Sequence, residues 1–306
     1  MDKTNGEIVE IVRESPTFFR LFSAHLFDFF LTAILTALLL FAFSNAYMAL
    51  PSAVEARQFR EGVQVESGLF LKSEGTIKNV GDYYPSLGLT HNEVSDKLDP
   101  ILNAFFLSYL HEELGDGEEV YLSRKAQAKL SSGESLFDKN GNRIFANPDY
   151  DENYSSFYIS ACKDFAPGYL GYKQGYLEAR RTLILLEAAA FETSLLVSYL
   201  VFYVLPPLFF HRGKQTLGKK LSGIYLLGSD GFSPSIRRQL VFNLFHYVFF
   251  FLLGPITFMA PYFISLTMMA TRKQRQTLSE YVFALFPIAG KKEEVYESEE
   301  ELLSKK

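Results

Sequence analysis

The chain has 306 residues, 48% hydrophobic and 21% charged, with a formal net charge of −5. That acidic balance argues against a nucleic-acid binder, and the single cysteine, Cys162, excludes an intramolecular disulfide. The charges are unevenly spread: residues 21–50, 193–210 and 239–271 are almost free of them, which points to a bilayer rather than to one or two soluble domains.

Residues 1–16 are polar and read as a loosely ordered N-terminus. The first apolar run spans residues 17–50. A secretory leader has an apolar core of roughly 7–15 residues, and this run is far longer, so a permanent membrane helix is the better reading. Trp is absent, so an interfacial aromatic belt must be built from the 30 Phe and 18 Tyr. Residues 51–182 are of soluble type and long enough to bury their own core. Helical spacing predicts a helix over 101–113 and another over 123–130. Residues 135–145 read as a β-hairpin turning at Asn140-Gly141. The insert is therefore expected to be α+β, with Cys162 a small buried apolar residue.

A second membrane helix is expected over 183–211. The basic segment 212–238 follows it, with Arg212, Lys214, Lys219, Lys220, Arg237 and Arg238 against one acidic residue, Asp230. Short basic loops face the cytoplasm. That places the N-terminus inside and residues 51–182 outside, in a multi-pass protein of the cell membrane. Lys214, Lys219, Lys220, Arg237 and Arg238 are expected to touch the inner leaflet.

The third apolar stretch, 239–271, is basic at both ends and too short for two full crossings at 1.5 Å per residue. We read it as a re-entrant pair of half-helices broken at Gly254-Pro255, with the charged tail 272–306 back in the cytoplasm. The alternative is one kinked crossing. Lys214-Gln215-Thr216-Leu217 after the second segment is echoed by Arg275-Gln276-Thr277-Leu278 after the third, which favours a common membrane face.

Two motif-like stretches do not carry their usual chemistry. Gly213-Lys-Gln-Thr-Leu-Gly218-Lys219-Lys220 approaches a phosphate-binding loop, but lacks the final hydroxyl and follows a membrane helix rather than a strand. Asp138-Lys-Asn-Gly-Asn142 approaches a calcium loop, but its glycine comes fourth rather than sixth and position twelve is Asp149. No catalytic or metal-ligand spacing appears in the insert, so neither an enzyme, a metal nor a cofactor is expected.

Asp28 stands deep in an apolar helix, where a carboxylate is costly unless paired or facing a polar cavity. Arg20 lies eight residues earlier on the same face, roughly 12 Å away and too far for direct contact, so the two are expected to act as one structural unit through Asn243 or His246. These two residues, with Gly213 to Gly223, Asp230-Gly231 and Pro234-Ser235, resemble the RDD family of membrane proteins. The likeness covers residues 17–48 and 183–289 and leaves out the insert. The family closes this region with Gln-Thr-Leu-His-Asp, where this chain has Gln276-Thr277-Leu278-Ser279-Glu280. The resemblance implies transport of a small ligand, and for some members cation/proton antiport.

The expected fold is thus an α-helical integral membrane protein with an inserted α+β domain. Its ion- or ligand-binding candidates are Arg20, Asp28, Glu192, Asn243, His246 and Glu280. Asp28, Asn243 and His246 fall at similar depth and would form a cation or proton site, or simply join helix to helix. Partners follow: the lipid bilayer, a small ion or ligand and a protein partner of the insert, but no nucleic acid. The second functional reading is a membrane-anchored assembly protein acting through residues 51–182.

Overall fold

The computed structural model describes residues 14–145, 147–210, 212–290 and 295–304. The expectations for residues 1–13 and for the start of the charged tail, 291–294, lie outside the described residues. The chain is mostly helical with two small sheets. In order the elements are α1 (Phe18–Met48), α2 (Pro51–Glu66), β1 (Phe70–Ser73), β2 (Thr76–Asn79), α3 (Val80–Ser86), α4 (His91–Ala104), α5 (His111–Leu114), α6 (Gly117–Ala126) and α7 (Asp151–Ser160). They continue with α8 (Tyr176–Tyr199), α9 (Leu205–Phe209), α10 (Leu217–Leu221), β3 (Ile224–Leu227), α11 (Ile236–His246), α12 (Leu253–Ile256), α13 (Ala260–Thr271), α14 (Leu278–Val282), β4 (Phe286–Ala289) and α15 (Glu299–Ser304). Two compact units result: Asn45–Ala188, and Met1–Ser44 with Ala189–Lys306.

Among the described residues three helices are long and apolar enough to cross a membrane: Phe18–Met48, Tyr176–Phe209 and Ile236–Ile256. The second starts seven residues before its expected position, because Gly175 ends the preceding turn at positive φ and the charged Glu178, Arg180 and Arg181 are taken into the helix. On α1 the buried residues are Leu21, Ala24, Asp28, Thr32 and Thr36, one stripe at helical spacing. Most of the rest of its surface is apolar and exposed or half-buried. Polar groups inward and hydrocarbon outward is the pattern of a helix whose solvent is lipid.

Wide helical turns precede prolines at three places: Ala161–Phe165 before Pro167, Leu200–Val204 before Pro206 and Tyr247–Leu252 before Pro255. Proline has no N–H and its ring clashes with the carbonyl four residues back. An extra residue in the preceding turn moves that carbonyl away. Pro255 therefore sits inside α12 and does not break the third stretch, as had been expected. The reversal falls three residues later, where Phe258 and Met259 both adopt left-handed backbone conformations and Met259 N–H donates to Gly254 O at 2.7 Å.

After the reversal α13 runs back along the wide turn, Tyr262 packing edge-on against Phe250. Both ends of this hairpin meet one layer. At its start Arg238 donates to the carbonyls of Phe283 and Ala284, just before β4. At its end Ser265 Oγ accepts from Leu278 N–H at 3.1 Å. β4 pairs antiparallel with β3, and Glu14 bridges to Ala289. Residues 272–289, expected as part of a charged tail, thus form an ordered helix and strand.

The unit Asn45–Ala188 has its own core, centred on Leu98, Leu102, Phe105, Phe106, Tyr154, Tyr158 and Cys162. It is more helical than expected. Its strands are the β1–β2 hairpin, and the turn at Asn140-Gly141 closes with an isolated bridge, Phe137 to Arg143. The Asp138 carboxylate is spent on that turn, accepting from the N–H groups of Asn140 and Asn142 at 2.8 Å each. The helix expected over 101–113 starts ten residues earlier at a capping box, with Thr90 Oγ1 accepting from Glu93 N–H and Glu93 Oε2 from Thr90 N–H. The helix expected over 123–130 lies instead at Gly117–Ala126. Lys125 is buried inside the core, 3.0 Å from Asp99 and over the Tyr121 ring.

Cys162 is fully buried, and burial pushes its thiol up to about 12. It should resist maleimide in the native protein at neutral pH and react only on denaturation. A timed labelling experiment with and without denaturant checks this; fast native labelling would mean that the core around Cys162 opens readily.

Candidate functional site

The site is built by two copies of one local structure. In each, a basic residue adopts a left-handed conformation, Lys214 at φ 42° and Arg275 at φ 49°. The following glutamine reaches nine residues forward to a strand-region carbonyl, Gln215 to Ile224 O at 2.7 Å and Gln276 to Leu285 O at 2.6 Å. The threonine then N-caps a one-turn helix, Thr216 for α10 and Thr277 for α14. A strand follows, β3 or β4, and the two strands pair. The repeated Gln-Thr-Leu thus marks a structural repeat.

The third residues of the two short helices are Lys219 and Glu280. Lys219 Nζ lies 2.6 Å from Glu280 Oε1, with side-chain exposures of 3% and 0%. Glu280 Oε2 also accepts from Thr277 N–H at 2.9 Å, completing a capping box. Burial alone would raise the Glu280 carboxyl, but the Lys219 ammonium outweighs it and holds the group at about 2. His25 on α1 approaches the same oxygen, at 3.8 Å.

Asp28 and Arg20 act on α10 from either end. Asp28 Oδ2 accepts from the Thr216 hydroxyl at 2.5 Å, and Oδ1 from Gly218 N–H at 2.7 Å. Arg20 Nε donates to Ser222 O at 2.5 Å and Nη2 to Gly223 O at 3.3 Å. One residue satisfies the free N–H end of the short helix and the other its free carbonyl end. The two were expected to communicate through Asn243 or His246; they do so through residues 216–223. The approach is so close that a Cβ on Gly218 would lie 2.1 Å from Ala24 O.

Asp28, Asn243 and His246 do line one cavity, with His25, Lys214, Lys219 and Gln239. Its volume is about 10 Å³, room for roughly one water. Asn243 is held by Tyr203 O at 3.1 Å and Gln239 Nε2 at 3.0 Å. His246 Nδ1 lies 3.2 Å from the Tyr199 hydroxyl, its ring stacked on Phe250. Glu192 is not in this group: it accepts from the Tyr247 hydroxyl elsewhere in the bundle.

The basic residues expected at the inner leaflet divide. Lys220 and Arg237 are exposed, but Lys214 and Lys219 are buried and Arg238 turns inward to backbone carbonyls. Lys214 has no hydrogen-bond or ion-pair partner among the described residues and borders the small cavity. Sequence reasoning took these lysines for a surface patch because a charge run usually is one. Missing too were His25, Thr216 and Gly218; the spacing of Lys219 and Glu280 from their Gln-Thr-Leu elements was the available signal.

Three helices of membrane-crossing length and composition, joined to a buried polar layer, define an α-helical membrane protein. Residues 181–280 match the model of the RDD family, and over that stretch the chain is similar to it. The match takes in both Gln-Thr-Leu elements and ends on Glu280, and it includes neither α1 nor most of the insert. No curated protein and no solved structure matches the chain.

Breaking a buried ion pair by removing one partner costs about 3–5 kcal/mol, whereas replacing both by apolar groups is often neutral. Lys219→Met or Glu280→Gln should each lower the melting temperature of the detergent-solubilised protein far more than Lys219→Met with Glu280→Met. Because the Glu280 pKa is depressed, its contribution is full above the ordinary carboxylate range and is lost only as pH falls toward about 2. The wild-type melting temperature should therefore show no transition attributable to this pair between about pH 5 and 8. Additive single-mutant losses in the double variant would mean that the pair is not coupled.

Proposed function

We propose that the chain is a multi-pass transport protein of the cell membrane, handling a proton or small cation at the Lys219–Glu280 pair. A single observation carries the reading: two opposite charges 2.6 Å apart, both essentially unexposed, inside a bundle of lipid-type helices. Buried ionisable groups are expensive, and a buried pair at the end of such a bundle is a candidate ion or proton site. A cation entering the layer competes with the Lys219 ammonium for the Glu280 carboxylate. Displacing that ammonium exchanges one positive charge for another at Glu280, so cation entry is coupled to movement of the Lys219 side chain. His25 and the cavity beside Asp28 supply the neighbouring polar positions.

Flux of monovalent cations or protons into proteoliposomes tests this. Glu280→Gln should reduce flux at least tenfold, and deletion of residues 51–182 should leave most of it. Flux unchanged in Glu280→Gln sinks the proposal. The second reading, a membrane-anchored assembly protein, is favoured by the independent core of Asn45–Ala188. It expects the reverse: function lost on deleting 51–182 and kept in Glu280→Gln.

In either case residues 51–182 are placed outside the cell, with the layer holding Glu14, Arg20 and both Gln-Thr-Leu elements at the cytoplasmic face. The excess of Lys and Arg in 212–238 supports that orientation. With Cys162 buried, Asn140→Cys becomes the reporter. It should label with a membrane-impermeant maleimide in intact cells; labelling only after lysis reverses the topology.

A further inference from the structure

A second cavity lies beside the polar layer, about 320 Å³ in volume and walled almost wholly by hydrocarbon and aromatic rings of α1, α13 and the wide turn before α12. A space of that size and lining excludes water and takes up apolar molecules. Its polar contributors are few. The Ser265 and Thr277 hydroxyls are already engaged with α14. Tyr203, Tyr262, His246 and His25 bring the others, and of these His25 Nε2 is buried with no hydrogen-bond partner among the described residues. Glu280 Oε1, at 3.8 Å, is beyond hydrogen-bond reach. The pocket thus has a hydrocarbon body, with the unmet His25 Nε2 at its wall.

Its position indicates the source of an occupant. Leu26 and Phe29 on α1 and Phe263 and Leu266 on α13 line it and are themselves exposed, so it opens sideways between two helices whose outer faces are apolar. His25 marks the end near the strand layer, and Met259, at the chain reversal, marks the other. On the membrane reading above, on which this inference rests, that is the direction of a lipid chain in the leaflet at the layer's face, ester outward and methyl end toward the midplane.

We propose that this pocket holds one acyl chain of a bilayer phospholipid, inserted between α1 and α13, with His25 Nε2–H donating to its ester carbonyl. The same ring also lines the small polar cavity, as do Tyr203 and His246. The lipid would therefore press on the wall of the charged layer.

The natural absence of Trp makes the test direct. Phe250→Trp places a reporter at a pocket position only 4% exposed, and Phe41→Trp places one on the outer face of α1, 77% exposed. In bilayers of phospholipid brominated at mid-chain, both should be quenched, and adding Leu266→Phe to fill the pocket should at least halve quenching of the first alone. Quenching at position 41 but not at 250 overturns the proposal and leaves the membrane reading intact; quenching at neither overturns both. Quenching at 250 by added brominated fatty acid, but not by brominated phospholipid, assigns the pocket to a free amphiphile and likewise overturns it. Native mass spectrometry of the unsubstituted protein is independent of any tryptophan variant. One phospholipid should remain bound, and His25→Leu should reduce its retention severalfold; no retained phospholipid counts against the proposal.

Discussion

The one-turn helix α10 is five residues long, too short to stabilise itself, and it leaves polar backbone ends inside a helical bundle. Its stability comes from α1. Eight residues separate Arg20 from Asp28, roughly 12 Å along the helix, which spans the short helix with its caps. Asp28 takes the N–H end and Arg20 the carbonyl end, each charge matched to the sign of the helix terminus it meets. Gly218 is required at the contact because any side chain there would strike Ala24 O. With α10 fixed, Lys219 is fixed, and with it the partner of Glu280.

The second copy of the motif solves the same problem with other residues. Among the described residues no carboxylate from a neighbouring helix meets the N-terminus of α14. Ser265 accepts from Leu278 N–H, and Glu280 closes its own capping box on Thr277. The two copies are then tied by their strands and by the Lys219–Glu280 bond. Neither buried charge would be tolerable alone, so the ion pair requires both copies to fold together. This is a sufficient reason for the repeat to persist as a pair, whatever passes through the site.

Much of this was legible in the sequence, and what was not failed for identifiable reasons. Apolar runs of membrane length announced α1, α8 and the helix Ile236–Ile256 that begins with α11, since composition over about twenty residues is a strong signal. The repeated Gln-Thr-Leu pointed to a shared face, and Arg20 with Asp28 to a structural unit. Their true partner, α10, lies some 190 residues away in sequence from Asp28 and is apolar only at Leu217 and Leu221, so no periodicity betrayed it. Lys219 read as a surface charge because pairing across 61 residues cannot be seen in a local pattern. The break in the third stretch was placed at Gly254-Pro255 on the rule that proline ends helices. The wide turn before it absorbs the clash, and the reversal falls to Phe258 and Met259, residues with no sequence mark for left-handed backbone.

The distribution of hydrogen bonds distinguishes the two buried carboxylates. Both oxygens of Asp28 are met by neutral donors that belong to the fold, the Thr216 hydroxyl and Gly218 N–H. An ion displacing them would unfold the start of α10, so Asp28 is suited to holding structure. Glu280 keeps one oxygen on the backbone of its own helix and offers the other to an ammonium on a flexible stem. Lys219 can withdraw without breaking any backbone hydrogen bond, and an incoming cation can take its place. The glutamate side chain is long enough to make both contacts at once: it reaches back to Thr277 N–H and across to Lys219. The carboxylate whose charge partner can leave is therefore the one able to exchange ligands, and it sits on the repeat rather than on the first membrane helix.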